Sequence, residues 1–146
     1  MLRPIRQALV LLLLASAAAW ATHEWHPRAP ALYLIQEPLR NDEVSMQAIA
    51  ERWQGNVLWI DARPQEQYDA GHIPEALLLN EQKFDDQLFS HLDILQTNTR
   101  PIIVYCSGAR CDASRHVLER LKQTLPIENA FVLKGGWNAW QEAAKK

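Results

Sequence analysis

The sequence is poor in cysteine. Two cysteines in 146 residues exclude a disulfide-stapled miniprotein, which replaces a large core with cross-links. Nor can two cysteines build a structural zinc site without help from histidine or carboxylate. Internal repeats and low-complexity tracts are missing, which removes solenoids and fibrous chains from consideration. Excess charge of either sign is missing too: 15 Lys and Arg face 17 Asp and Glu, a formal net charge of -2. Nucleic-acid binders usually carry a basic face, so no nucleic-acid partner is expected. The remaining composition is an ordinary globular mixture, 48% hydrophobic and 22% charged. That is too apolar for a disordered chain, and the length suits one domain.

The N-terminus bears on location. Arg3 and Arg6 precede ALVLLLLASAAAWA, residues 8–21, which is apolar except for Ser16. A basic start, an apolar run of that length and small residues at its end form a secretory signal pattern, with Ala19 and Ala21 as an A-x-A cleavage site. The run is shorter than the ~20 apolar residues of a typical spanning helix. Trp20 and Trp25 suit a membrane interface, so an uncleaved anchor is the alternative. The expected location is outside the cytoplasm, either periplasmic or membrane-anchored through residues 8–21 and facing the periplasm. Thr22 to Pro30, THEWHPRAP, has linker composition. His23 and His26 within it are taken as solvated rather than metal-ligating. The expected organisation is a signal or anchor over 1–21, a linker and lead-in over 22–43, and one folded domain over 44–146.

From about residue 31, short apolar runs alternate with helical periodicity. Leu32 to Ile35 is an early strand candidate. Ser45 is placed to cap a helix with Met46, Ile49, Ala50 and Trp53 on one face, ended by Gly55. Val57 to Ile60 and Ala76 to Leu79 are runs of strand length. Asn80 is placed to cap a helix with Phe84, Leu88, Leu92 and Leu95 at helical spacing. Pro101 opens Ile102 to Tyr105, the clearest strand. Val117, Leu118, Leu121 and Leu125 mark an amphipathic helix before Pro126. Phe131 to Leu133 is the last strand, and Gly135-Gly136 turns into a helix carrying Trp137 and Trp140. Strands apolar throughout suit a sheet covered on both faces. Their alternation with helices predicts an α/β, doubly wound parallel sheet with helices on both faces. Ligands of such sheets gather beyond the carboxyl ends of the strands. Asp61 and Arg63 follow one strand there, and Cys106 follows another.

The segment VYCSGARCDAS, Val104 to Ser114, leaves a strand, turns at Gly108 and starts a helix near Asp112. Backbone amides in such a turn form an anion-binding nest, and the helix adds the positive end of its dipole. Both favour thiolate over thiol, and Arg110 supplies a permanent cation. A lone cysteine is commonly a buried structural thiol. The strand-end position and the neighbours of Cys106 favour nucleophilic chemistry instead. For Arg110 an ordinary surface role is the competing reading.

These residues, with two further segments, resemble the rhodanese family. Ile60 to Ala76, IDARPQEQYDAGHIPEA, resembles the first family signature, and Val132 to Trp140, VLKGGWNAW, resembles the C-terminal one. With the cysteine loop between them, the likeness covers about residues 44–143. The resemblance implies a doubly wound rhodanese-like domain with cysteine at the bottom of a pocket lined by loop amides. It implies sulfur transfer without a metal or organic cofactor. Cys106 matches the nucleophile that becomes a persulfide. Ser107, Gly108, Ala109, Arg110 and Cys111 match the loop whose amides hold the anionic substrate. Asp61, Arg63, Gly71 and His72 match positions of architectural character. The loop departs from a common family form, which places Gly three and Arg five residues after the cysteine. Here Gly108 and Arg110 fall one position earlier, and Cys111 takes the fifth place. Glu75 also replaces a Gly common in the first signature.

The leading expectation is a sulfurtransferase that moves sulfane sulfur from thiosulfate or a persulfide donor to a thiophilic acceptor through a Cys106 persulfide. Its partners would be a small sulfur-containing anion, a thiol acceptor and, in one version, a protein sulfur donor or acceptor. Two alternatives stand beside it. One is a thiol-disulfide redox or sensing protein using Cys106 and Cys111. The other is a non-catalytic rhodanese-like binding module. Cys111 is expected to be dispensable for forming the persulfide, and either to act after it or to pack as a small apolar residue. A disulfide between the two cysteines would block the nucleophile.

Overall fold

A computed structural model describes residues 2–25, 38–108 and 112–145. The chain divides into two compact units, Met1–Pro38 and Leu39–Lys146. The first contains α1 (Leu2–Trp25). Its Ile5–Thr22 window is long and apolar enough to cross a membrane, a test that a signal sequence also passes, and none of it is buried. Ser16 and Thr22 donate their hydroxyls to the carbonyls of Leu12 and Ala18 at 2.8 and 2.7 Å. Both polar side chains are thus satisfied within the helix, as an apolar surrounding requires. The strand expected at Leu32 to Ile35 lies outside the described residues.

The second unit runs β1 (Glu43–Val44), α2 (Met46–Trp53), β2 (Leu58–Asp61), α3 (Gln65–Ala70), β3 (Leu77–Leu78), a 3₁₀ turn (Glu81–Lys83), α4 (Phe84–Ser90), α5 (Leu92–Thr97), β4 (Ile102–Tyr105), α6 (Asp112–Thr124), β5 (Ala130–Leu133) and α7 (Gly136–Ala144). The five strands form one sheet in the order β1-β5-β4-β2-β3, and every pair is parallel. Alternate residues of β4 divide between two cores. Ile102 and Val104 join Phe84, Leu88, Leu95, Val117, Leu118 and Leu121 on one face. Ile103 and Tyr105 join Val44, Ile49 and Ile73 on the other, with Trp53, Trp137 and Trp140 packed against them. Burial on both faces is why β4 is apolar throughout.

Local chemistry sets the element ends. Ser45 caps α2 by accepting the Ala48 amide at 3.1 Å. The helix face differs from expectation at one position: Ala50 is exposed, and Ala48 packs on the core instead. The reversal begins one residue before Gly55, since Gln54 already holds a left-handed φ of 53°. Asn80 accepts the Lys83 amide at 3.1 Å, as its capping position predicts, but the segment it opens is not one helix. The 3₁₀ turn leads into α4, and the chain breaks at His91 (φ -106°, ψ 6°) before α5. Phe84, Leu88 and Leu95 all remain buried across that break, because each short helix can set its apolar residues on the sheet separately.

The turn at Glu75 explains why a glycine suits this position in the family pattern. Ala76 donates its amide to the Ile73 carbonyl at 2.9 Å, with Pro74 and Glu75 between them and Glu75 at φ 64°. Proline followed by a positive φ is a type II turn. The left-handed conformation costs a residue with a Cβ ~1–2 kcal/mol, offset in part by the ~0.5–1 kcal/mol entropic cost of glycine. Glu75→Gly is therefore expected to stabilise the domain by about 0.5–1 kcal/mol. A urea unfolding midpoint that moves down instead would contradict this account of the turn.

Candidate active site

The crossover from β2 leads outward to β3, whereas that from β4 leads the opposite way to β5. The carboxyl ends of the adjacent strands β2 and β4 therefore flank a topological switch point, where the chain diverges and leaves a crevice. Asp61 and Arg63 lie at the end of β2, and Cys106 lies at the end of β4.

The Asp61–Arg63 pair is a buried ion pair at the end of β2. Asp61 is 0% exposed and Arg63 5%. The Asp61 carboxylate accepts from Arg63 Nη2 at 2.6 Å, from Nε at 2.9 and 3.1 Å, and from the Arg63 amide at 2.9 Å. It also accepts from the Tyr105 hydroxyl at 2.7 Å, which itself accepts the Ile73 amide at 3.1 Å. Arg63 Nη2 reaches the Gly71 carbonyl at 2.7 Å, and its guanidinium lies 4.5 Å from the centre of the Trp137 ring. Burial alone would lower the Arg63 pKa; hydrogen bonding and charge from Asp61 more than offset it, so the net shift is upward. Burial, reinforced by the Asp61 carboxylate, pushes the Tyr105 phenol well above its ordinary value. Tyr105 thus stays a proton donor, and the cluster links β2, β4 and the Gly71–Ile73 turn. This is the architectural character that the resemblance assigns to Asp61, Arg63 and Gly71. His72 fits the same description. Its ring stacks on Tyr68 at 3.8 Å, and Nδ1 lies 2.9 Å from the Tyr68 carbonyl, a pure acceptor, so Nδ1 carries the proton of that hydrogen bond.

Cys106 is 2% exposed. Its carbonyl accepts the Trp137 amide at 2.7 Å, and Gly136 explains how α7 comes so close. A Cβ on Gly136 would stand 2.3 Å from the Cys106 carbonyl oxygen and 3.1 Å from the Gly108 amide nitrogen. Gly136 also holds φ 55°, in the left-handed region, so glycine is needed there for space and for conformation. Gly108 has room by comparison, since a Cβ there would meet Asn138 only at 3.8 Å. Ser107 extends outward and donates its hydroxyl to Gln67 Oε1 on α3 at 2.8 Å. The expected loop residues Ala109, Arg110 and Cys111 lie outside the described residues.

Ser114, 1% exposed and in the first turn of α6, directs its hydroxyl to Cys106 Sγ at 3.7 Å. Sequence reasoning passed over it, although a signal existed. Ser114 precedes Val117, Leu118 and Leu121 on the same buried stripe, a polar residue at an apolar position. Arg115 beside it binds Asp42 at 3.0 Å and Glu43 at 3.2 Å, which ties the start of α6 to β1. A hydroxyl donor and a helix N-terminus both favour the thiolate form of the reduced cysteine. Losing a hydrogen bond worth ~0.5–1.5 kcal/mol should raise the midpoint of alkylation against pH by up to about one unit in Ser114→Ala. An unchanged midpoint for Cys106, followed by peptide mass after reduction, would remove Ser114 from the site.

Cys106 is disulfide-bonded in this structure, and the chain's other cysteine is Cys111. The distances around Sγ are therefore those of the oxidised state, and reduction must precede any nucleophilic step. A separate cleft, lined by Leu95, Arg100, Ile102, Leu125, Pro126 and Asn129 among others, opens at the amino ends of β4 and β5. It lies at the other end of these strands from Cys106.

Comparison with known proteins bears on the fold and the family. Over 63 residues the chain is 38% identical to the HTH-type transcriptional regulator Rv0324 of Mycobacterium tuberculosis, covering 43% of this chain and 26% of that protein. Over 94 residues it is 30% identical to the tRNA uridine(34) hydroxylase of Yersinia enterocolitica, covering 62% of this chain and 25% of that one. The match thus spans about a quarter of each relative. The fold is similar to the crystal structure of a thiosulfate sulfurtransferase from Pseudomonas aeruginosa, with TM-score 0.54, 23% identity, and coverage of 73% of this chain and 19% of that chain. The family model for the rhodanese-like domain matches residues 46–143, from the start of α2 into α7. The chain belongs to the rhodanese-like domain family.

Proposed function

We propose that the chain is a sulfurtransferase in which reduced Cys106 takes sulfane sulfur from thiosulfate or a persulfide donor and passes it to a thiophilic acceptor. The observation that carries this reading is the position of Cys106. It ends the doubly covered strand β4 at the switch point of the sheet, with the Ser114 hydroxyl 3.7 Å from its sulfur. The thiolate attacks the outer sulfur of thiosulfate, the sulfur–sulfur bond breaks with its electron pair leaving on sulfite, and Cys106 is left as a persulfide. Ser107, Gly108, Ala109, Arg110 and Cys111 supply the loop that would hold the anion, with Arg110 as its cation. Small sulfur anions and thiols, free or on a partner protein, are the proposed partners. The apolar α1 supports export, with the domain on the periplasmic side, released or anchored. The test is intact mass after thiosulfate is added to dithiol-reduced, desalted protein. One added sulfur atom on Cys106 supports the proposal, and unmodified Cys106 refutes it.

A thiol-disulfide role is the second reading, favoured by the disulfide at Cys106. It predicts a reversible dithiol–disulfide couple with no sulfur taken up from thiosulfate.

A further inference from the structure

We infer that Gln67 is a positioning residue of the Cys106 site: from α3 its carboxamide holds Ser107, and through Ser107 the chain that leaves the cysteine. The inference rests on the sulfurtransferase reading and adds to that site a residue from outside the cysteine loop. It starts from a helix that supplies no fully buried side chain. None of the residues of α3 is buried, and none joins either core. The helix is nevertheless tied down. Arg63, before it, reaches the Gly71 carbonyl, just after it, at 2.7 Å. Tyr68 donates its hydroxyl to the Ala76 carbonyl at 2.7 Å and stacks on His72. The buried Asp61–Arg63 pair thus secures both flanks of a short platform. Gln67 projects from this platform, and its Oε1 accepts the Ser107 hydroxyl at 2.8 Å. Among the described residues, the other side-chain hydrogen bonds made by α3 span four and eight positions along the chain. The bond to Ser107 spans 40, and it carries α3 to the cysteine loop.

The Cys106–Ser107 peptide is therefore held by two elements. From α7, Trp137 donates its amide to the Cys106 carbonyl at 2.7 Å. The peptide is trans and planar, so that bond also fixes the direction of the Ser107 amide. Rotation about the Ser107 backbone remains open, and the bond to Gln67 restrains it from α3. The restraint bears on the sulfur because the next residue lies against it, with the Gly108 carbonyl 3.7 Å from Cys106 Sγ. Backbone dipoles act on a reacting group only while they stay aimed at it. The Gln67 bond involves neither the cysteine sulfur nor its disulfide, so reduction of Cys106 does not require it to break.

The test follows transfer of sulfur from thiosulfate to cyanide by the full chain, reduced with a dithiol and desalted. Gln67→Leu removes the acceptor and Ser107→Ala the donor. Each should lower kcat by about 2- to 10-fold, the scale of one hydrogen bond, and the double variant should lose no more than either alone. Gln67→Glu keeps an acceptor and should recover most of the kcat that Gln67→Leu loses. Both side chains are exposed, so urea unfolding midpoints should stay at the wild-type value, which separates positioning from a general loss of structure. Unchanged kcat in Gln67→Leu, or losses that add in the double variant, overturns the inference and leaves the sulfurtransferase reading standing. Gln67→Glu that performs no better than Gln67→Leu does the same. Wild-type protein that takes no sulfur from thiosulfate defeats the sulfurtransferase reading instead. The inference is then decided by alkylation of reduced Cys106 against pH, followed by peptide mass. Equal upward shifts of the midpoint in Gln67→Leu and Ser107→Ala support it, and unequal or absent shifts overturn it.

Discussion

Cys106→Ser reduces transfer of sulfur from thiosulfate to cyanide by at least roughly 10³-fold, the scale on which losing a covalent nucleophile acts. A serine hydroxyl ionises far less readily than a thiol, so neither the α6 terminus nor Ser114 can bring it to a useful anion. Oxygen also cannot carry sulfane sulfur as a persulfide does, so the variant lacks the intermediate as well as the attack. Stability must be compared under reducing conditions, because the wild type otherwise carries a cross-link that the variant cannot form. There the change should stay within about 1–2 kcal/mol: the substitution places a small hydroxyl in a buried site, with the Gly108 carbonyl 3.7 Å from the present sulfur as a partner. The measurement pairs thiocyanate production with urea unfolding. Turnover close to wild type in a folded variant would remove Cys106 from the chemistry.

The largest stability effect is expected from Asp61→Ala. The carboxylate compensates a guanidinium that is 5% exposed. Without it, Arg63 is left against the Gly71 carbonyl and the Trp137 ring. Removing one partner of a buried pair costs about 3–5 kcal/mol, a large share of the ~5–15 kcal/mol that holds a typical domain together. The exposed pair Arg120–Asp85, with side chains 43% and 85% exposed, supplies the contrast. Asp85→Ala should change stability by less than about 1 kcal/mol. Replacing Asp61 and Arg63 together with apolar residues should recover part of the loss, since no uncompensated charge then remains. Equal unfolding midpoints for Asp61→Ala and Asp85→Ala would show that the buried cluster does not support the fold.

The parallel sheet was legible because its central strands are apolar throughout, and Ile102 to Tyr105 fell where the sequence placed it. Ser45 and Asn80 revealed their helix starts because capping is local chemistry, read from a few neighbouring residues. The break at His91 was not legible. Phe84, Leu88, Leu92 and Leu95 keep helical spacing across it, and neither glycine nor proline marks the interruption. The switch point could not be read either, because it depends on strand order, which arises from packing between distant segments. Within the site, strand end and glycine turn pointed to Cys106. Ser114 went unnoticed because its role requires α6 to be laid against β4. Gly136 stood out as part of a turn, yet its closeness to the Cys106 carbonyl emerges only once α7 is docked.

That docking governs when the site can exist. Synthesis delivers β2, β4 and the cysteine before α7, and β1 must wait for β5, its partner at the sheet edge. Until Gly136 and Trp137 emerge from the ribosome, the Cys106 carbonyl lacks the amide that holds it, and until β5 emerges the edge strand has nothing to pair with. Domains generally fold as units during synthesis, and here the unit closes only with its final helix. A nascent chain therefore carries its cysteine through the 30 residues from Cys106 to Gly136 before the surroundings that would activate it are assembled.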